Sequence, residues 1–322
     1  MHKTGLGVAL AVLAAGGAMA QQAGPAGEET MAQQMERLNR LPDTPGDGPY
    51  PALTEVDPSL PEHVIYRPAD LAAVPAGELG VFIWGNGACA DDGTSTRFHL
   101  AQIASYGYLV IAPGLWRSGP NALAGPSAPR ARAADGTMPP PPTTAADLTE
   151  ALDWALAEDA RAGSRFADKI DADAVAVGGF SCGGLQALEV AADPRWDTVV
   201  VQNSGILIDP AQAIPGMTAQ KSLLDTLHTS VLYLLGGESD IAYANGTDDY
   251  ARIAHVPAAL VNLPVGHGGT YHEPMGGKAA GIVVDWLEWQ LRDDAAAGRS
   301  FTGANCRLCT DAEATIDVKN WP

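Results

Sequence analysis

The chain reads as an α/β protein whose mostly parallel central sheet carries helices on both faces. Three observations predict this class. Short apolar, β-branched runs alternate with segments of helical periodicity from residue 61 to residue 295. One run, Ala174-Val175-Ala176-Val177-Gly178, passes into a helical segment through Gly179-Phe180-Ser181-Cys182-Gly183. Two later runs end in glycine-rich turns that carry a carboxylate and a histidine.

The elements follow in order. Residues 1–20 hold Lys3, an apolar stretch from Leu6 to Ala15 and then Ala18-Met19-Ala20. A basic start, an apolar run too short to span a bilayer and an A-x-A site make a secretory signal peptide, cut after Ala20 to leave Gln21. Residues 21–60 form an N-terminal extension, with a polar helical piece from Glu28 to Leu41 and then Pro42-Asp43-Thr44-Pro45-Gly46-Asp47-Gly48-Pro49-Tyr50-Pro51. Prolines and glycines at that density exclude a central element, so this segment is expected to wrap the surface.

The domain proper spans 61–295. Its strands are expected at His63–Arg67, Gly80–Trp84, Tyr108–Ala112, Ala174–Gly178, Thr198–Gln202, Ser230–Leu235 and Ala258–Leu263. A helix from Thr144 to Glu158 lines Leu148, Leu152, Ala155 and Leu156 along one face, and another runs from Gly184 to Ala191. The last helix repeats Ala279, Ile282, Val283, Trp286 and Leu287 at helical spacing. Residues 113–142 interrupt the alternation with a long Gly/Pro/Ala-rich loop at the end of a strand, where α/β sheets bind ligands. Trp116 within it either lines a cleft or packs the loop down. Residues 296–322 form a tail holding Cys306 and Cys309. No internal repeat and no second core are visible.

The chemistry lies at three strand ends. Gly-x-Ser-x-Gly between strand and helix is a nucleophile elbow, a turn sharp enough to expose its central Ser. A Ser hydroxyl attacks only when a base takes its proton, and the base needs an acid to hold its tautomer. In an elbow of this kind the chain order is Ser, acid, His. Ser230–Leu235 runs into Gly236-Gly237-Glu238-Ser239-Asp240, and Ala258–Leu263 into Pro264-Val265-Gly266-His267-Gly268-Gly269. Ser181, Asp240 and His267 are therefore the expected triad. Glu238 is the rival acid, His272 the rival base, and Asp248 and Asp249 read as solvated. The oxyanion needs two backbone donors, one from the residue after the nucleophile, Cys182, and one from the loop after an earlier strand. Trp84-Gly85-Asn86-Gly87-Ala88-Cys89 supplies that loop, with Gly87 favoured and Asn86 or Ala88 beside it.

These motifs, with Ile103-Ala104-Ser105-Tyr106-Gly107-Tyr108-Leu109-Val110-Ile111-Ala112, make the chain resemble the α/β-hydrolase fold. Among its branches it is most similar to the dienelactone-hydrolase-like and polyester-hydrolase (cutinase-like) exported esterases, from roughly His63 to Arg292. The resemblance implies ester hydrolysis through an acyl-enzyme and carries Ser181, Asp240, His267 and the oxyanion donors onto their positions here. Two departures stand out. Dienelactone hydrolases proper have Cys at the elbow's centre, where this chain has Ser181. Polyester hydrolases carry an aromatic residue at the first oxyanion position, where this chain has small ones. The fold also makes the strands bearing Cys89 and Cys182 near neighbours. The two thiols are then either bridged, locking the oxyanion donors together, or buried as small apolar groups.

Composition narrows the partners. Without Lys3, 18 basic residues face 38 acidic ones, a formal charge of −20. Such a surface repels nucleic acid and anionic membranes. No segment after the leader is apolar enough to span a bilayer, so membrane insertion is not expected. Four cysteines in an exported chain favour disulfides. Cys306-x-x-Cys309 has no second Cys/His pair for zinc and reads as a local bridge. The resulting expectation is a secreted or periplasmic serine hydrolase that needs no metal or cofactor. Its substrate would be a small-molecule or polymer-linked ester. A peptidase or amidase of the same fold and an inactive binding protein on a hydrolase scaffold are the alternatives.

Overall fold

Side chains alternate across a strand, so a sheet covered on both faces needs apolar residues at successive positions. The computed structural model describes residues 31–127, 131–132, 134, 138–209 and 214–321, and the expected signal peptide lies outside them. Nine strands form one sheet: β1 (Ala52–Glu55), β2 (His63–Pro68), β3 (Leu79–Gly85), β4 (Tyr108–Pro113), β5 (Ile170–Phe180), β6 (Thr198–Gln202), β7 (Ser230–Leu235), β8 (Ala258–Asn262) and β9 (Thr315–Lys319). Their spatial order is β1-β2-β4-β3-β5-β6-β7-β8-β9. The run from β4 to β8 pairs parallel, whereas β1–β2, β2–β4 and β8–β9 pair antiparallel.

The alternation sorts the core into two. Val81 and Ile83 of β3 join one cluster with α3 (Ala145–Ala160), α4 (Cys182–Val190) and α5 (Tyr243–Arg252), through Leu148, Leu188 and Tyr250. Phe82 and Trp84 join the opposite cluster, under α2 (Arg97–Ala104) and α6 (Gly277–Arg292), through Leu100, Ile103, Ile282 and Trp286. A parallel sheet with helices on both faces, the α/β class, follows directly. At the start of α3, Asp147 accepts the Thr144 backbone N–H at 2.5 Å, closing a capping box. Among the described residues no helix is long and apolar enough to cross a membrane.

Edges and caps are where the fold departs from the sequence reading. β9 lies in the segment read as a tail and zips antiparallel onto β8, from Asn262↔Thr315 to Ala258↔Lys319. Only Ile316 and Val318 pack inward, and the flanking Asp317 and Lys319 suit an edge strand. β1 is a similar four-residue edge. β5 begins four residues before the expected strand, because Leu79 pairs with Ile170 across a register shift. Before these comes α1 (Met31–Arg40). The chain after it crosses α2, where Arg97 donates to Asp43 at 2.7 Å and to the Leu38 and Leu41 carbonyls. Trp116 packs against the α2–α6 core.

Asp248 and Asp249 correct a sequence reading. Neither is simply solvated. Asp249 is fully buried, ion-paired to Lys221 at 2.6 Å, and accepts the Ile206 N–H at 2.7 Å. Burial pushes its carboxyl up to about 6 against these partners. Asp248 pairs with Lys221 and Arg252. Together they tie the segment after β6 to α5.

Candidate active site

Ser181 stands alone in the turn between β5 and α4, with φ 54° and ψ −118°. A non-glycine residue held there costs on the order of 1–3 kcal/mol and persists only if its surroundings fix it. They do so from three sides. Its N–H donates to the Gln202 carbonyl at 2.9 Å, and its carbonyl accepts Gly184 N–H at 3.0 Å and Ser204 Oγ–H at 2.6 Å. The turn also presses on β3. A Cβ on Gly183 would sit 2.0 Å from the Gly85 carbonyl, so only glycine lets the two loops touch.

The acid and the histidine arrive from the next strand ends. Ser181 Oγ–H donates to His267 Nε2 at 3.0 Å, and His267 Nδ1–H donates to Asp240 Oδ1 at 2.6 Å. Asp240 is buried and accepts three more hydrogen bonds, each 2.9 Å, from the Ala242 and Gly236 N–H groups and Asn203 Nδ2. Burial raises its carboxyl pKa, but the hydrogen bonds from His267, the backbone and Asn203 prevail and hold it below the usual range. An ionised Asp240 keeps the proton on Nδ1 and leaves the Nε2 lone pair facing Ser181. The arrangement can move the hydroxyl proton onto the imidazole.

The rivals stand elsewhere. Glu238 is exposed. His272 lines the same cleft but makes no hydrogen bond to Ser181 or Asp240 among the described residues, and burial, aided by the Arg97 charge, lowers its pKa. His63, His228 and His255 each bond a backbone carbonyl. His99 is fully buried against Trp84 and Tyr271, and burial pulls its pKa to about 3.

Three supporting residues were not singled out from sequence. Asn203, at φ 44°, follows β6 and donates to Asp240 and to the Gly266 carbonyl, tying the two loops together. Tyr271 O–H donates to Asn203 Oδ1. Phe180 packs its ring on His267 and Tyr271, with centroids 5.2 and 4.8 Å away. Asn203 had one legible signal, a polar residue directly after a parallel strand.

On the opposite side, Gly87 and Ala88 line a cleft with Ser181 and His267. Cys182 is the first residue of α4, so its N–H has no partner within the helix. Gly87 cannot carry a side chain, because a Cβ would lie 2.5 Å from the Phe180 ring. Asn86 is not among the residues lining that cleft, and its fully buried side chain donates to the Ala90 and Pro113 carbonyls at 2.9 and 2.6 Å, bracing the loop. A disulfide joins Cys89 to Cys182, with Cα atoms 5.2 Å apart, and a second joins Cys306 to Cys309. No cysteine is free, which points to an oxidising compartment.

Two cavities meet at Ser181 and share only that residue and His267. One, of about 570 Å³, is walled by polar side chains of the segment leading into α2, Asp92, Ser95 and Thr96, and of the loop after β4, Arg117, Ser118 and Ser127. The other, of about 110 Å³, is lined by Leu185, Leu207, Ile214 and Ile241 beside Asn203, Ser204 and Asn245, and it shares the Leu185, Leu207 and Ile214 walls with a mostly apolar cavity of about 600 Å³. A further cavity of about 500 Å³, beside α6, shares no residue with them. Among the described residues no cluster of three or more His, Cys, Asp or Glu could hold a metal ion. No family model and no curated protein matches the chain.

Proposed function

We propose that this protein is an exported serine hydrolase of the α/β-hydrolase fold that cleaves carboxylic esters through an acyl-enzyme. One observation carries the reading: the unbroken line of hydrogen bonds from Ser181 Oγ through His267 to a buried, four-fold bonded Asp240. A surface serine meeting a histidine by accident has no reason for that third tier. The chain order Ser, Asp, His and the strand-to-helix turn at the nucleophile match the elbow-type architecture.

In this mechanism Ser181 Oγ attacks the ester carbonyl while its proton passes to His267 Nε2. The oxyanion is met by the Cys182 N–H and by Gly87 or Ala88 of the β3 loop. His267 then protonates the departing alkoxide, and an alcohol leaves. Water, deprotonated by His267, attacks the acyl-Ser181 carbonyl and releases the acid and the free hydroxyl. Asp240 stays ionised throughout and steadies the imidazolium.

The test is kinetic. Wild-type protein should hydrolyse p-nitrophenyl esters with burst release of p-nitrophenol and leave the matching p-nitroanilide largely untouched. Ser181→Ala should lower kcat by about 10⁴-fold or more with the fold intact by circular dichroism. Substantial esterase activity in that variant, or anilide cleavage matching ester cleavage, would contradict the proposal.

A further inference from the structure

The geometry points to a neutral amphiphilic monoester as the substrate, with an alkyl chain on one side of the scissile bond and a polyol on the other. The inference rests on the proposed esterase chemistry and deepens it. Its warrant is the opposite character of the two cavities that share Ser181 and His267.

The first cavity is built for hydrocarbon. From Ser181 it runs past Leu185, Leu207 and Ile214, walls it shares with the cavity beside Met217 and Ile208. Ile241 on its wall is 79 % exposed and Ile208 is 52 % exposed. Large apolar side chains left facing solvent on two adjoining, mostly apolar cavities beside a nucleophile mark a surface that something apolar covers. An alkyl chain buries them, at about fourfold in binding per methylene removed from water.

The second cavity is polar, yet its charges are mostly spoken for. Arg97 is ion-paired to Asp43 and Arg117 to Asp91, each at 2.7 Å. Asp92 already accepts from Thr94 N, Thr94 Oγ and Ser118 Oγ. Among the described residues lining the cavity no cation is left unpaired for an anionic substrate, and Asp92 would repel one. What remains is neutral. The His272 ring has no hydrogen-bond partner among the described residues, and burial with the Arg97 charge keeps it uncharged. A neutral imidazole presents one donor and one acceptor, the same pair a hydroxyl presents. Thr96, 2 % exposed in the same wall, has an Oγ without a partner. Hydroxyls of a glycerol or sugar moiety complement this wall, whereas a carboxylate or a bare alkyl chain does not.

Four esters decide the matter: glyceryl monooctanoate, glyceryl monoacetate, ethyl octanoate and ethyl acetate, each compared by kcat/KM. The wild type should prefer octanoyl over acetyl and glyceryl over ethyl, each by tenfold or more, so that glyceryl monooctanoate is best. Leu207→Asp should shrink the octanoyl preference and His272→Leu should shrink the glyceryl preference about fivefold. Ratios within one protein do not depend on how much of a variant is folded. A flat pattern, a preference for choline butyrate or for the monoethyl ester of succinate over glyceryl monobutyrate, or variants that leave both ratios unchanged would overturn the inference. Ser181 labelled by a fluorophosphonate beside a flat pattern would sink the substrate class alone. No labelling and no hydrolysis of any ester would sink the esterase reading and this inference with it.

Discussion

On the β7–β8 side of Ser181 the acid and the histidine are held by hydrogen bonds, whereas on the β3 side the facing loop is held by a covalent bond. The first side is a chain of directional contacts, Tyr271 to Asn203 to Asp240 to His267. Every link can respond when a proton moves. The second side carries Ala88 and Cys89 at φ 55° and 48°, a left-handed stretch that non-glycine residues resist. Asn86 braces that stretch through the Ala90 and Pro113 carbonyls, and the Cys89–Cys182 bridge pins it covalently to the first turn of α4. That bond closes 93 residues, while Cys306–Cys309 closes three. On a chain-entropy view the long loop stabilises by about 4.7 kcal/mol and the short one by about 2 kcal/mol. In the proposed mechanism, adaptable contacts serve the groups that exchange protons, and a fixed link serves groups that must only stay in place.

Breaking the hydrogen-bonded side should have the largest effect. His267→Ala should abolish the acylation burst, a loss of about 10⁴-fold or more in kcat, while His272→Ala should leave the burst in place and alter KM. A burst that survives in the first and vanishes in the second would exchange their roles. Asp240→Asn should cost about 10³–10⁴-fold, because the amide favours the wrong imidazole tautomer. A loss under tenfold would show that Asp240 does not orient His267.

The covalent side should respond more mildly and in a different quantity. Replacing Cys89 and Cys182 together by alanine should lower unfolding stability by about 2–5 kcal/mol and kcat by about tenfold, since both proposed oxyanion donors remain but are held less firmly. Cys306→Ala with Cys309→Ala should leave kcat unchanged. If the two pairs prove interchangeable in their effect on kcat, the bridge beside Ser181 is structural only.

The smallest effect concerns Asp249. Its carboxyl is raised in the folded state to about 6, from about 3.9 in an unfolded chain. Such a group contributes stability that is fully present below about pH 4 and is lost as pH rises through 6. The Tm difference between wild type and Asp249→Asn should therefore shift against the wild type from pH 4 to pH 7. A difference that stays constant over that range would mean Asp249 is not so perturbed.

The central strands were legible because a strand buried on both faces is a continuous apolar run, and Thr198–Gln202 and Ser230–Leu235 needed no adjustment. Edge strands such as β9 bury only alternate residues and blend into polar sequence. Ser181, Asp240 and His267 were marked by glycine-rich strand ends, and they come together in the structure. Asn203 showed only its place directly after a parallel strand and Tyr271 showed nothing, since their contacts span 37 and 68 residues. Asp249 was misread by its neighbour Asp248, although Gly246, Asp249 and Tyr250 share one face of α5 at helical spacing and are all buried.

Covalent labelling probes Ser181 most directly. The protein is incubated with a fluorophosphonate, its intact mass is measured, and the adduct is located by peptide mapping under non-reducing conditions. A single adduct on Ser181, absent from both Ser181→Ala and His267→Ala, is the expected result. An adduct on another serine, or none on protein shown to be folded, would contradict a nucleophilic Ser181.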